Sequence, residues 1–219
     1  MIYFIHPIDE STKFLKLIYT NVINRVGKEN VTVFSFENYD DEDIYKDEIS
    51  KLPENSFVCF LGHGRADKFY GVLEDSNEAY ISSGEMTLFN NKNLLALACK
   101  SDELLKNTFR YTEIKHAIGF GYLPTSYDEV HKIKNMRNKS ITGNDIENFK
   151  GVIVSCISES LIETYSKNQS FEYLNSYLRM LLFREVNNCV LERGDTALAN
   201  LIYQMLFQMR YQINSSLGR

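Results

Sequence analysis

The chain lacks the positive charge of a general nucleic-acid binder. Its 24 Lys and Arg stand against 29 Asp and Glu, a formal net charge of −5, so the phosphate neutralisation that dominates such affinities has little to work with. The densest basic run, "HKIKNMRNK" at His131–Lys139, reads as a solvated helix face or a local contact for an anionic ligand. Long apolar runs are missing as well, so no segment is expected to cross a bilayer. The opening "MIYFIHPIDES" carries no basic region ahead of its short apolar run, which makes it a first strand rather than a secretory signal. Cys59, Cys99, Cys156 and Cys189 form no CxxC pair and no zinc spacing, which speaks against a disulfide scaffold and for reduced thiols in a cytoplasm. There is no GxxxxGKS/T, and the "GFG" at Gly119–Gly121 lacks the third glycine and the following helix of a dinucleotide fingerprint, so nucleotide hydrolysis has little support. No GxSxG elbow marks a serine hydrolase. No His, Cys, Asp or Glu cluster has ligand spacing, and neither a metal nor a cofactor is expected.

What is present is an alternation of short apolar runs with helical patterns. Strands are predicted at Ile2–His6, Val31–Phe36, Ser56–Gly62, Asn93–Ala98 and His116–Gly121. Helices are predicted between the first three, at Glu10–Val26 and Asp41–Ser50, and between the last two, at Asp102–Phe109. That rhythm signals a parallel sheet with crossover helices. The strands are nearly all apolar and are expected in the sheet interior, covered on both faces. Arg65–Asn91 suits a short hairpin or lid. Beyond Pro124 the pattern turns helical, at Asp128–Met136, Asp145–Tyr165, Phe171–Asn188 and Thr196–Ile213. In the last of these Leu198, Leu201, Ile202, Met205, Leu206 and Met209 recur at helical spacing, as core or subunit contact. We expect an α/β protein of one domain over residues 1–219, with a sheet core in 1–127 and a mainly helical extension in 128–219.

Two strands end on reactive side chains. "FVCFLGHG" runs out at His63 between two glycines, and "LLALAC" runs out at Cys99. In an open parallel sheet the loops at the carboxyl ends of the strands share one crevice, so neighbouring strands would bring imidazole and thiol together. A thiol is mostly protonated near neutral pH, and a histidine beside it can take that proton or protonate a leaving amine. Glycine lets a substrate backbone approach. The amides of Gly64 and Cys99 are candidate oxyanion donors, and a helix starting just after Cys99 is expected to favour the thiolate. Cys59, Cys156 and Cys189 read as core or interface, and His116 and His131 as structural or solvated. His6, at the end of the first strand, is open between pocket and packing.

A hydrophobic block ending in His-Gly, a spacer, and a second block ending in Ala-Cys resemble the caspase-like cysteine peptidases, which include caspases, gingipains, separase and the bacterial CHAT domains. "HAIGFGYLPTSYDEV" and "ERGDTALANLIYQM" are similar to later segments of CHAT domains. The resemblance covers Ile2–Phe120 closely and the remainder loosely. It implies a caspase-like, mostly parallel central sheet flanked by helices, with His63 as catalytic histidine, Cys99 as nucleophile and Gly64 in the oxyanion hole. It also implies a peptide or protein substrate docked beside the sheet. The residue that selects the substrate side chain is then sought among His6, Asp9, Glu10 and Asp102. An acid there selects a basic residue, whereas Arg65 would select the opposite. "ACKSD" lacks the glycine that often follows the nucleophile in caspases. An intracellular peptidase needs a switch: an activating protein, a small signalling nucleotide, or autocleavage within Arg65–Asn91. Bacterial defence is the setting the resemblance suggests. The rival expectation is a catalytically silent caspase-like module that binds a protein or ligand.

Overall fold

The computed structural model describes residues 1–37, 42–70, 79–132 and 141–214. The basic run at 131–139 and the middle of the expected lid therefore fall largely outside the described residues. Six strands form the main sheet: β1 (Ile2–Pro7), β2 (Val31–Phe36), β3 (Phe57–Leu61), β7 (Asn93–Leu97), β8 (His116–Gly119) and β9 (Arg210–Ile213). Their spatial order is β2-β1-β3-β7-β8-β9, with every pair parallel except β8 and β9. Between β3 and β7 the chain leaves the sheet for a small antiparallel one of β4 (His63–Arg65), β5 (Lys68–Tyr70) and β6 (Ile81–Ser82).

Successive strand residues point to opposite faces, and here both faces are buried. Ile2, Phe4, Cys59, Leu61, Leu95, Leu97 and Ile118 enter one core, under α1 (Lys16–Val26), α5 (Gly143–Ser166), α6 (Phe171–Leu191) and α7 (Thr196–Gln208). Their neighbours Tyr3, Ile5, Val58, Phe60, Leu94, Ala96 and Ala117 enter the other, which α2 (Glu42–Ser50), α3 (Ser101–Thr108) and the small sheet cover. The short helix α4 (Tyr127–Lys132) follows β8. No helix among the described residues is long and apolar enough to cross a membrane.

Two expectations are corrected. β2 is an edge strand, not an interior one; its Thr32 and Ser35 are not buried, as one-sided pairing allows. The helix expected over Thr196–Ile213 is shorter, within an extension that is mainly helical as expected. The last helix stops at Gln208 and the chain returns as β9 against β8, held by the Arg179 guanidinium donating to the Met209 carbonyl at 2.6 Å. The return covers a strand edge that would otherwise present unpaired amides.

Strand β8 and helix α3 touch backbone to backbone at Gly119. A Cβ there would lie 2.8 Å from the Asp102 amide nitrogen and 2.9 Å from its Cα. Gly119→Ala is expected to destabilise the protein by about 2 kcal/mol, lowering Tm by roughly 4–8 °C in a chain of this size. Thermal denaturation checks this; an unchanged Tm means that α3 yields without cost.

Candidate active site

The register of the sheet brings His63 and Cys99 together. Leu61 is paired with Leu97, the Gly62 N–H donates to the Leu97 carbonyl at 3.2 Å, and His63 and Cys99 each lie two residues beyond the last pair. Both line one small recess of about 30 Å³, together with Thr12, Leu15, Leu123 and Glu129. Gly64 permits the approach: a Cβ there would fall 2.6 Å from the Cys99 carbonyl oxygen and 2.9 Å from the Ala98 Cβ.

The imidazole is held on two sides. Its ring stacks on Tyr70, with centroids 5.3 Å apart and planes 10° from parallel. Nε2 bonds Asp9 Oδ2 and lies 3.1 Å from Ser11 Oγ. Asp9 is fixed by the turn it opens, because its Oδ1 accepts from the Ser11 amide at 2.9 Å, the Thr12 amide at 2.8 Å and the Ser11 hydroxyl at 2.9 Å. Burial works against the Asp9 charge. The hydrogen bond and charge of His63, with donors from Thr12 and Ser11, outweigh it and hold the carboxyl well below the ordinary range. The Ser11 proton is spent on Asp9, so Nε2 must carry the hydrogen that reaches both oxygens. That tautomer leaves a lone pair on Nδ1.

Cys99 sits on a tight turn between β7 and α3. Lys100 adopts a left-handed φ of 55°, which costs a non-glycine residue about 1 kcal/mol. Surrounding bonds enforce it. The Lys100 amide donates to Gly121 at 2.7 Å and the Asp102 amide to Phe120 at 3.1 Å, and the Ser101 hydroxyl donates to the Ala96 carbonyl at 2.7 Å. Among the described residues no acceptor takes the Cys99 N–H. Gly64 N–H is unclaimed among the described residues for a ladder reason. The two-residue turn at Ala66–Asp67 closes on the pair Arg65 and Lys68, that closing pair exchanges hydrogen bonds, and the next pair, Gly64 with Phe69, exchanges none.

The thiol itself rests protonated. Its Sγ donates to the Leu123 carbonyl at 3.4 Å and accepts from the Leu123 amide at 3.3 Å. Burial pushes its pKa up to about 11; the Leu123 bond and Lys100 oppose the rise, and Glu129 adds to it. The expectation that the following helix favours thiolate is therefore not met in this resting state, because desolvation dominates.

The acids expected to select a substrate side chain do not line the cavity beside Cys99. Asp9 faces His63. Glu10 is exposed and pairs with Lys13 at 3.4 Å. Asp102 is buried under β9, with Oδ2 3.3 Å from Arg210 Nε. A cavity of about 520 Å³ does open beside Cys99, and among the described residues its charged lining is Arg65, Asp67, Lys100 and Glu129. Sequence reasoning overlooked Glu129; its only sequence signal was the Ser126-x-x-Glu129 capping box. His6 belongs to packing: it is fully buried, its Nε2 reaches the Thr12 carbonyl at 3.2 Å, and Tyr19 meets it edge-on. Cys59, Cys156 and Cys189 are buried, and His116 Nδ1 bonds the Tyr211 hydroxyl at 2.8 Å. Among the described residues no three His, Cys, Asp or Glu gather as a metal site.

No protein-family model matches the chain, and no curated protein matches it either.

Proposed function

We propose that the protein is a cysteine endopeptidase of caspase-like type, acting through Cys99 and His63. The observation that carries this reading is a thiol and an imidazole lining one recess at the carboxyl edge of the sheet, with a carboxylate behind the imidazole. In the reaction His63 Nδ1 takes the thiol proton and the sulfur attacks the scissile carbonyl carbon. The developing oxyanion is received by the N–H groups of Gly64 and Cys99. His63 returns its proton to the amine nitrogen, the C–N bond breaks, and a Cys99 thioester remains. His63 then takes a proton from water, whose oxygen attacks the thioester; the C–S bond breaks and the sulfur recovers its proton from His63. Asp9 holds the tautomer that starts the cycle and stabilises the imidazolium.

The high resting pKa of the thiol supports an enzyme that waits for a switch, whether an activating protein, a small signalling nucleotide or the substrate itself. The same feature favours the second reading, a silent module that binds a peptide in this crevice. Peptide acyloxymethyl ketones separate the two. The peptidase reading expects a covalent adduct on Cys99 by intact mass, lost in Cys99→Ala and in His63→Ala. A wild-type protein that stays unmodified by every such ketone, alone and with nucleotides or lysate added, leaves the binding module standing.

A further inference from the structure

We propose that Glu129 receives a basic side chain of the substrate, and that its negative charge links occupancy of the cavity to the readiness of Cys99. The inference rests on the peptidase reading and names its substrate class. Two cavities meet at Cys99: the small recess shared with His63 and the larger one beneath the β4–β5 hairpin. Among the described residues only Glu129, besides Cys99, lines both, and it is the one charged group of the larger cavity that also reaches the recess.

Its two oxygens have different duties. Oε2 accepts from the Thr125 amide at 2.7 Å, the Thr125 hydroxyl at 3.1 Å and the Ser126 amide at 3.2 Å, so the side chain is anchored. Oε1 has no partner among the described residues. Arg65 and Lys100 also line the larger cavity, but each lies against an aromatic ring: Arg65 is 5.4 Å from the Tyr70 centroid and Lys100 5.1 Å from that of Tyr122. Among the described residues the charged or imidazole groups around Cys99 are Lys100 on its own turn, Glu129 on α4, His63 and Arg65 on β4, and Asp67 at the hairpin turn. Of these, Glu129 opposes ionisation of the thiol. A guanidinium or ammonium bound at Oε1 neutralises that opposition, so a cognate substrate brings its own activation. A neutral or acidic side chain leaves it in place.

The test compares ketones ending in Arg, in the uncharged near-isostere citrulline, and in Asp, by rate of Cys99 labelling. Wild type is expected to react about tenfold faster with Arg than with citrulline, an interaction of a partly exposed charge pair. Glu129→Gln keeps an acceptor for Thr125 and Ser126 and is expected to bring the ratio near one. Iodoacetamide, with no substrate present, gives a second measure: the alkylation midpoint should move down from about 11 in the variant. A wild-type ratio near one overturns the proposal even should the variant fail to fold. So does an unmoved midpoint, or faster labelling by the Asp ketone, which would hand recognition to Arg65 and Lys100. In each of those cases Cys99 is still labelled and the peptidase reading survives; if no ketone labels at all, that reading falls and this inference falls with it.

Discussion

Replacing Asp9 by asparagine is expected to slow acylation of Cys99 by about three orders of magnitude while leaving the fold nearly intact. The oxygen of the new side-chain amide can still accept from the Ser11 and Thr12 amides, which now bond Asp9 Oδ1 at 2.9 and 2.8 Å, so the turn survives. The nitrogen of that side chain, however, then faces His63 Nε2 as a donor. Nε2 must become the acceptor, the ring hydrogen moves to Nδ1, and the base that should meet the thiol is occupied. Asp9→Ala removes the carboxylate and the turn together, so it is the less informative variant. The measurement is ketone labelling resolved into affinity and maximal rate. A tautomer effect lowers the maximal rate and leaves affinity alone, whereas a collapsed turn weakens both. Rates within threefold of wild type would show that Asp9 serves the turn and not the imidazole.

The parts of this fold legible in the sequence are those set by local rules. Strands β1, β3 and β7 are continuous apolar runs because both faces are buried, and a run such as "FVCFL" or "NLLAL" fits little else. The pairing of β3 with β7 follows from sequence only as a condition, yet it decides the site, because register then aligns His63 with Cys99. β9 is hidden. Leu206, Met209 and Ile213 continue a helical spacing, and only the uncovered edge of β8, which is a tertiary fact, draws Arg210–Ile213 out as a strand. Asp9 is visible as a residue near the functional edge but not in its role, since its partner is 54 positions away. Glu129 is legible as a helix cap and nothing more. Its place beside the thiol depends on the segment after β8 folding back over Cys99, where Leu123 bonds the sulfur, and periodicity carries no trace of that. Asp102 stands close to Cys99 in chain order, yet the first turn of α3 carries it under Arg210.

Acid is expected to weaken the fold in two separable windows, and His6 sets the first. Burial pushes its pKa down from 6.5 to about 4, against the raising influence of the Thr12 carbonyl and Asp9 and with a small lowering from Lys16. The native state therefore binds fewer protons than the unfolded chain between those values, so the contribution is complete above 6.5 and is lost as pH falls through about 4. At about 1.4 kcal/mol per unit, the loss is roughly 3 kcal/mol. Asp9 acts below this: its depressed carboxyl contributes stability above the ordinary value of 3.8, and that contribution goes only as pH drops further. Urea unfolding from about pH 7 to 4 should show the first slope. His6→Phe, which keeps the aromatic contact with Tyr19 but abandons the Thr12 carbonyl at a cost of about 1 kcal/mol, should flatten it. A wild-type profile flat down to about pH 4 would mean that the imidazole is solvated in both states and anchors nothing.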